Sequence, residues 1–177
     1  LIDALLAAED DNFFKHRGID YQGLIRSTMQ LITEGRIVSG GSTITMQVAR
    51  NFFLNRKQEF SRKFNEILLA LRIESELSKP EILSLYVNKM FLGKTAYGFG
   101  AAAQIYYGKN LNQLSLAQIA MLAGVPKAPS TRNPISNPEK AMERRNWILS
   151  RMLKLGSINS DEFNLSLIHI SEPTRHA

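Results

Sequence analysis

The first candidate for chemistry is a run of acidic, aromatic and basic residues near the start of the chain, EDDNFFKHRG at residues 9–18. Three consecutive acids follow an apolar segment, Leu1 to Ala8, that predicts a helix. Acids are unfavourable there because the terminal carbonyls of a helix already carry partial negative charge. A residue that breaks a local rule suggests a functional reason, and a carboxylate set against an apolar helix can serve as a general base. The alternative is a solvated loop in which His16 is a surface or packing residue.

A second candidate is the segment GGSTITMQVARN at residues 40–51. The glycine pair predicts a tight turn before a helix, and the unpaired amides of a helix N-terminus favour an anion. Thr43 and Gln47 can hydrogen-bond a sugar or a phosphate, while Arg50 supplies a fixed positive charge. A glycine turn followed by an ordinary helix cap explains the same residues without any function.

The third candidate is Glu66, preceded by Lys63 at three residues and by Arg62 at four. It lies in a segment whose apolar residues recur at spacings of three and four and so predict an amphipathic helix, with Glu66 on the side opposite the apolar stripe. The stripe consists of Phe60, Phe64, Ile67, Leu68 and Leu71. A solvent-facing ion-pair cluster is therefore the alternative to a catalytic carboxylate.

The elements that must position these residues are predicted to be helices, since no strand-like alternation occurs. Tyr86 and Asn88 are expected to satisfy buried polar groups rather than to contact substrate. The predicted helices are Tyr21 to Glu34 ending at Gly35, Ile44 to Leu54, Ile82 to Met90 after the capping box Ser78–Glu81, Leu116 to Val125 after the capping box Ser115–Gln118, and Glu139 to Leu155 between Asn137 and Gly156. The fold class is all-α.

Composition limits the function classes. The chain has 177 residues, enough for one domain with a sizeable core, and no cysteine, which excludes disulfides, thiolate catalysis and cysteine-ligated zinc. The net charge of +6 suggests nucleic acid, acidic lipid headgroups or a phosphorylated substrate as partner. A nucleic-acid binder should concentrate its basic residues on one recognition helix. They are spread along this chain, so no nucleic-acid partner is expected.

Both ends of the chain are predicted to be cut. Residue 1 is leucine, and no apolar stretch of about 20 residues that could anchor the chain is present. Ser160-Asp161-Glu162 predicts a capped helix start, but LSLIHISEPTRHA at residues 165–177 changes to a short β-like run and resembles a translated sequencing adapter. The expected organisation is one domain at residues 1–164 followed by a non-native tail at 165–177. His169 and His176 are set aside with the tail, which leaves His16.

Five segments in order resemble the family 51 glycosyltransferases, the peptidoglycan transglycosylase domains of class A penicillin-binding proteins and of stand-alone transglycosylases. They are EDDNFFKHRG, GGSTITMQVARN, RKFNEILLALRIE, ILSLYVNKMFLG and MLAGVPKAP. The stretch AYGFGAAAQIYYGK is most similar to the 1a-type proteins. The resemblance implies a lysozyme-like, bilobal helical domain with a small lobe resting on the membrane.

The resemblance also implies an activity. Lipid II would be the acceptor, a lipid-linked growing glycan strand the donor, and a β-1,4-linked glycan the product, formed with inversion and release of undecaprenyl pyrophosphate. The enzyme would work on the periplasmic face of the bacterial inner membrane, with a transpeptidase domain downstream. It would require no cofactor, and a role for Mg²⁺ or Mn²⁺ is left open. A lysozyme-like lytic glycosidase acting on finished glycan is the alternative.

Roles are implied residue by residue. Glu9 matches the general base, and Glu66 matches the second carboxylate, which would protonate the leaving group or hold a cation beside the pyrophosphate. Basic residues at the pyrophosphate are Arg50, Arg62 and Lys63. The remaining motif positions that would line the groove are Asp10, Phe13, His16, Thr43, Gln47 and Asn51.

A last segment concerns the membrane. Phe52, Phe53 and Leu54 form an apolar cluster beside the basic residues Arg50, Arg56 and Lys57. Aromatic residues flanked by cations suit the interface of an anionic bilayer. Burial of the three residues in the protein core is the alternative.

Overall fold

A computed structural model describes residues 1–34, 41–53 and 59–168, and within these ranges the regular structure is helical apart from one isolated bridge between Phe91 and Tyr97. The all-α prediction is therefore confirmed for the described part of the chain. The helices are α1 Ile2–Glu9, α2 Tyr21–Glu34, α3 Ile44–Phe53, α4 Glu59–Glu76, α5 Lys79–Lys89, α6 Phe99–Tyr107, α7 Leu116–Gly124, α8 Pro138–Lys154 and α9 Ser160–Ile168. None of these described helices is both long and apolar enough to cross a membrane.

Local capping signals place most helix ends where the sequence predicts them. Ser115 and Gln118 form the predicted reciprocal capping box at the start of α7. The Asn137 side chain accepts a hydrogen bond from the Lys140 amide at 3.2 Å and begins α8. Gly156 follows α8 with φ +73°, a left-handed conformation that costs glycine little. The predicted helix stop at Gly35, together with Gly40 and Leu54, lies outside the described residues.

Helix α5 begins three residues earlier than predicted, at Lys79 instead of Ile82. The Glu81 carboxylate accepts hydrogen bonds from the backbone amide and the hydroxyl of Ser78, at 2.8 and 2.6 Å. The cap therefore forms at Ser78, and Pro80 is tolerated because an amide in the first helical turn needs no intrahelical partner.

The β-like prediction for the start of the tail is wrong for Leu165–Ile168, which continue α9. The helix starts from Asn159 rather than from the Ser160 hydroxyl, because Asn159 and Glu162 exchange side-chain-to-backbone hydrogen bonds of 2.9 Å. His169 and His176 lie outside the described residues. The foreign origin of residues 165–177 stays a prediction.

The chain divides into two compact units. The first unit combines Leu1–Ala8 with the chain from Val87 onward, and in it α8 packs against α7 and α9. The second unit is Glu9–Tyr86, in which α3 packs against α4. Helix α3 is buried from Ile44 to Ala49 and forms the centre of this second unit.

Helix α4 has the predicted periodicity but faces the opposite way. Phe64 on the apolar stripe is 63% exposed, whereas Glu66 is 2% exposed. Leu68 and Leu71 are exposed with Phe64, and Ala70 is buried with Glu66. A carboxylate is buried at low cost only where it has hydrogen-bond partners or a counter-charge, and the acids on this face have both. The prediction that Glu66 projects away from the core is therefore wrong.

Candidate active site

The first turn of α3 is the centre of the site, and Thr43 caps it, as in the alternative of an ordinary helix cap. The Thr43 hydroxyl accepts a hydrogen bond from the Met46 amide at 3.1 Å and donates one to the Gly18 carbonyl at 2.6 Å. Gly18 has φ +82°, and a Cβ there would lie 3.0 Å from the Ala70 carbonyl oxygen on α4. The acidic loop after α1 is thereby fixed against both α3 and α4.

Asp10 supplies the anion at the N-terminus of α3. The Ile44 amide donates to Asp10 Oδ2 at 2.9 Å, and His16 Nε2 lies 3.0 Å from both carboxylate oxygens. Nε2 is therefore the ring nitrogen placed to donate to this carboxylate. The sequence analysis expected the unpaired amides at this end of the helix to meet an anionic ligand. The structure gives the Ile44 amide to the protein's own carboxylate, which the helix dipole also favours.

Phe13 packs against His16, which in turn contacts the Asp10 carboxylate. Phe13 is completely buried, and its ring meets the His16 ring edge to face, with 6.2 Å between the two centroids. The structure places Asp10, Phe13 and His16 together in the interior of the second unit. The alternative of a solvated loop does not describe these three residues.

Glu9 ends α1 as a half-buried side chain with a defined partner. Gln47 Nε2 donates to Glu9 Oε2 at 3.1 Å. The Tyr86 hydroxyl donates to Gln47 Oε1 at 3.2 Å, which fixes the orientation of the amide and turns its NH₂ group towards Glu9. Tyr86 is fully buried and satisfies a polar group as predicted. Asn88 is exposed, and its role stays a prediction.

Glu66 forms the second polar cluster. Lys63 Nζ donates to Glu66 Oε2 at 3.1 Å and to the Ser42 hydroxyl at 2.7 Å, next to the cap of α3. The Lys63 side chain is 50% exposed, whereas that of Glu66 is 3% exposed. The solvent-facing ion-pair interpretation is therefore wrong. The carboxylate is held inside, and half of the Lys63 side chain remains exposed.

The remaining predicted residues lie on the later part of α3 or outside the described structure. Arg50 and Asn51 are exposed, and Asn51 Nδ2 donates to the Gln47 carbonyl at 2.7 Å. The side chain of Arg62 is outside the described part of α4. Among the described residues, no group of three or more His, Asp or Glu side chains is arranged to hold a metal ion.

Arginines of α8 explain why acids can follow the apolar helix α1. In the first unit, Arg144 Nη2 donates to the Ala8 carbonyl at 2.9 Å, and Arg151 Nε lies 3.5 Å from the Ala7 carbonyl. Positive charge at a helix C-terminus offsets the partial negative charge of its carbonyls. The unfavourable C-terminus seen in the sequence is thus compensated from a distant segment.

Two neighbours hold Arg144 in this position. Its guanidinium group stacks on Trp147 at 4.1 Å from the ring centroid. A Cβ on Gly124 would lie 2.9 Å from Arg144 Cγ, so the side chain passes α7 at a glycine. Sequence reasoning missed Arg144 because its partner carbonyl is 136 residues away.

The second unit thus holds the carboxylates of Glu9, Asp10 and Glu66 and the half-exposed side chain of Lys63 around the first turns of α3. A carboxylate with an accessible side serves general acid–base chemistry, and a fixed cation stabilises negative charge on a substrate. These features suit a helical enzyme with a proton-accepting carboxylate and a cation beside it.

Comparisons with known proteins give the family. The transglycosylase family model matches residues 1–153. Penicillin-binding protein 1A of Pseudomonas aeruginosa is 60% identical over 166 residues, which are 94% of this chain and 20% of that protein. A putative transglycosylase of Cupriavidus necator is 51% identical over 175 residues, 99% of this chain and 74% of that protein. The chain therefore belongs to the transglycosylase family, and its class is that of peptidoglycan glycosyltransferases, as the five motifs predict.

A solved structure agrees with this assignment. The crystal structure of penicillin-binding protein 1A from Haemophilus influenzae matches with a TM-score of 0.54 and 37% identity, over 74% of this chain and 16% of that one. The match confirms the predicted lysozyme-like helical fold class. The chain spans only 20% of the Pseudomonas aeruginosa relative.

Proposed function

We propose that this domain polymerises lipid II into β-1,4-linked glycan with inversion at the donor anomeric carbon. The 4-hydroxyl oxygen of the acceptor sugar attacks the anomeric carbon of the lipid-linked strand. The bond from that carbon to the pyrophosphate oxygen breaks, and undecaprenyl pyrophosphate leaves with the electron pair. The acceptor proton passes to Glu9.

Glu9 is suited to receive that proton. Its Oε2 is occupied by the Gln47 amide, which holds the carboxylate in one orientation. A base and a leaving group on opposite faces of the reacting sugar give inversion, as in inverting glycosidases. Residues that orient the carboxylate contribute to the rate because proton transfer requires hydrogen-bond distance.

Lys63 and Glu66 are proposed to meet the donor pyrophosphate. The half-exposed side chain of Lys63 offers positive charge to the diphosphate as it develops, and Arg50 and Arg62 add to that charge. Glu66 orients Lys63 through their 3.1 Å hydrogen bond. No cofactor is part of the proposal. Mg²⁺ or Mn²⁺, if bound by Glu66 and the diphosphate, would supply further positive charge to the leaving group.

One observation carries the proposal most strongly. The first two turns of α3 and the residue before its cap connect both carboxylates, Glu9 through Gln47 and Glu66 through Lys63 and Ser42. The test is incubation of the chain with labelled lipid II, followed by gel separation of the glycan products. A ladder of polymer supports the proposal. Soluble fragments released from finished glycan would instead indicate the lytic glycosidase.

We propose that the domain acts at a membrane surface, on the periplasmic face of the inner membrane. A transpeptidase domain is proposed as a further part of the intact protein. Three helices of the second unit expose apolar side chains. These are Tyr21, Ile25, Met29 and Ile32 on α2, Phe52 and Phe53 on α3, and Phe64, Leu68 and Leu71 on α4. Exposed apolar stripes beside basic residues favour an anionic bilayer.

Replacing Phe52 and Phe53 with serine is expected to weaken binding to anionic liposomes with little change in melting temperature. The two side chains are 40% and 62% exposed, so their loss creates no core cavity. Liposome co-sedimentation and a thermal melt measure the two effects. Tyr97→Ser, which removes an exposed aromatic residue of the first unit, is the matched control. A loss of several kcal/mol, as for core aromatics, would contradict a membrane role for the pair. Leu54, Arg56 and Lys57 lie outside the described residues.

Arg50→Ala is expected to raise the KM for the lipid-linked donor and to leave the melting temperature nearly unchanged. The side chain is exposed at the end of α3, so removing it affects no buried contact. Steady-state polymerisation at varied donor concentration measures the change. An unchanged KM would remove Arg50 from the pyrophosphate site.

A further inference from the structure

Glu74 is a buried carboxylate of α4 that the proposed reaction does not use. Its Oε1 accepts hydrogen bonds from the Thr45 hydroxyl on α3 at 2.5 Å and from Lys79 Nζ at 2.6 Å. The side chains of Glu74 and Lys79 are 7% and 18% exposed. One oxygen atom therefore joins α3, α4 and the first residue of α5.

Lys79 has a second contact, with the acidic loop. Its ammonium group lies over the ring of Phe13, 4.3 Å from the centroid, where the ring face attracts a cation. Phe13 in turn faces His16, which is hydrogen-bonded to Asp10. The ion pair is thus connected both to α3 and to the carboxylate that caps α3.

We infer that Glu74 and Lys79 are positioning residues, a clamp that sets the rotation of α3 and with it the alignment of Glu9; this rests on the proposed function. Consecutive helical residues point about 100° apart. Asp10 holds the Ile44 backbone amide at the end of α3, whereas Glu74 and Glu9 hold the side chains of Thr45 and Gln47, which point in different directions. Releasing the middle contact lets the helix turn or shift, which moves Gln47 relative to the general base.

The chemistry of the clamp favours positioning over simple stabilisation. A buried ion pair is often no more stabilising than neutral side chains of similar shape. A charged pair that shares one acceptor oxygen with Thr45 does, however, fix a single geometry. Misplacement of a reacting group by about 1 Å can lower a rate by about 10²-fold.

The test is the double variant Lys79→Met/Glu74→Gln, compared with Arg72→Met/Glu76→Gln. The second pair lies on the same helix at 3.0 Å but is exposed, so it controls for loss of an ion pair from α4. We expect the first variant to lower kcat by about 10- to 100-fold, with little change in KM or melting temperature. We expect the control to match the wild type.

A second readout does not depend on activity. Amide hydrogen exchange over residues 41–48 should become faster in Lys79→Met/Glu74→Gln and stay unchanged in the control. Thr45→Val, which keeps the side-chain shape and removes only the hydroxyl, should change kcat and exchange in the same direction. Lys79→Arg should retain most of kcat because arginine keeps the positive charge and the stacking on Phe13.

Three results would overturn the clamp. The first is wild-type kcat and exchange in both Lys79→Met/Glu74→Gln and Thr45→Val. The second is a loss of activity that is fully explained by a lower melting temperature, because the two residues would then have a structural role. The third is faster exchange spread evenly over the whole chain. Failure of the wild type to polymerise lipid II would refute the proposed function alone, and the exchange over residues 41–48 would still decide the clamp.

Discussion

Replacing Glu9 with glutamine is expected to lower the polymerisation rate by ~10²–10⁴-fold, the usual effect of losing a general base. Glutamine has the same shape and keeps an oxygen that accepts the hydrogen bond now made by Gln47 at 3.1 Å. The amide cannot take up the proton of the acceptor hydroxyl. The folded state should therefore persist while the reaction stops.

Lipid II consumption under single-turnover conditions, beside a thermal melt, measures this expectation. Glu76→Gln is the matched control, because it makes the same change at an exposed position of α4. Turnover at the wild-type rate in Glu9→Gln would contradict the assignment of Glu9 as the general base. A large fall in melting temperature would mean that Glu9 mainly supports the fold.

Glu66→Gln is expected to lower kcat by about 10²–10⁴-fold, the usual effect of losing an acid–base group, because glutamine can neither protonate the leaving group nor hold a cation beside the pyrophosphate as a carboxylate does. Its cost in stability should be only about 1 kcal/mol, comparable with one hydrogen bond. Glutamine can still accept from Lys63, and the ammonium group is half exposed and can be hydrated. A surface ion pair would have changed stability by a few tenths of a kcal/mol and spared the activity.

Comparison with Lys63→Met separates these effects. That change removes the Lys63 counter-charge from a buried carboxylate, so it should reduce stability more than Glu66→Gln does. Chemical denaturation of both variants gives the order. The reverse order would contradict the burial of Glu66, and normal turnover in Glu66→Gln would show that the carboxylate does not take part.

Helix ends were predictable from the sequence because their causes are local. Ser115 with Gln118, and Asn137 with Lys140, lie three residues apart, so the whole cap is visible in a short segment. The start of α9 was misplaced by one residue because Asn159 and Ser160 are both good caps. Propensity does not decide between two adjacent candidates.

The direction that α4 faces was not predictable. A spacing of three and four residues shows that a helix has two faces, but not which of them is buried. That choice depends on Thr45, which is 29 residues from Glu74, and on Lys79 of the next helix. These two partners lower the free-energy cost of burying the Glu74 carboxylate.

The residues of the candidate site were named from the motif resemblance, whereas their contacts could not be predicted. Motif resemblance identified Glu9, Asp10 and Gln47, yet their bonds span 38 and 34 residues and depend on the packing of α3. No sequence pattern indicated that Asp10 would take the helix amide. Tyr86 was expected to be buried, and only the structure shows which group it orients.

Gly124 couples the effects of substitutions at two distant positions. Because a Cβ there would lie 2.9 Å from Arg144 Cγ, near the root of that side chain, rotation of the guanidinium end cannot relieve the conflict. The effect of a substitution at 124 therefore depends on the residue at 144, which is epistasis in its simplest steric form. An alanine at 124 should be tolerated better when the residue at 144 lacks a Cγ atom, at the cost of the hydrogen bond to the Ala8 carbonyl.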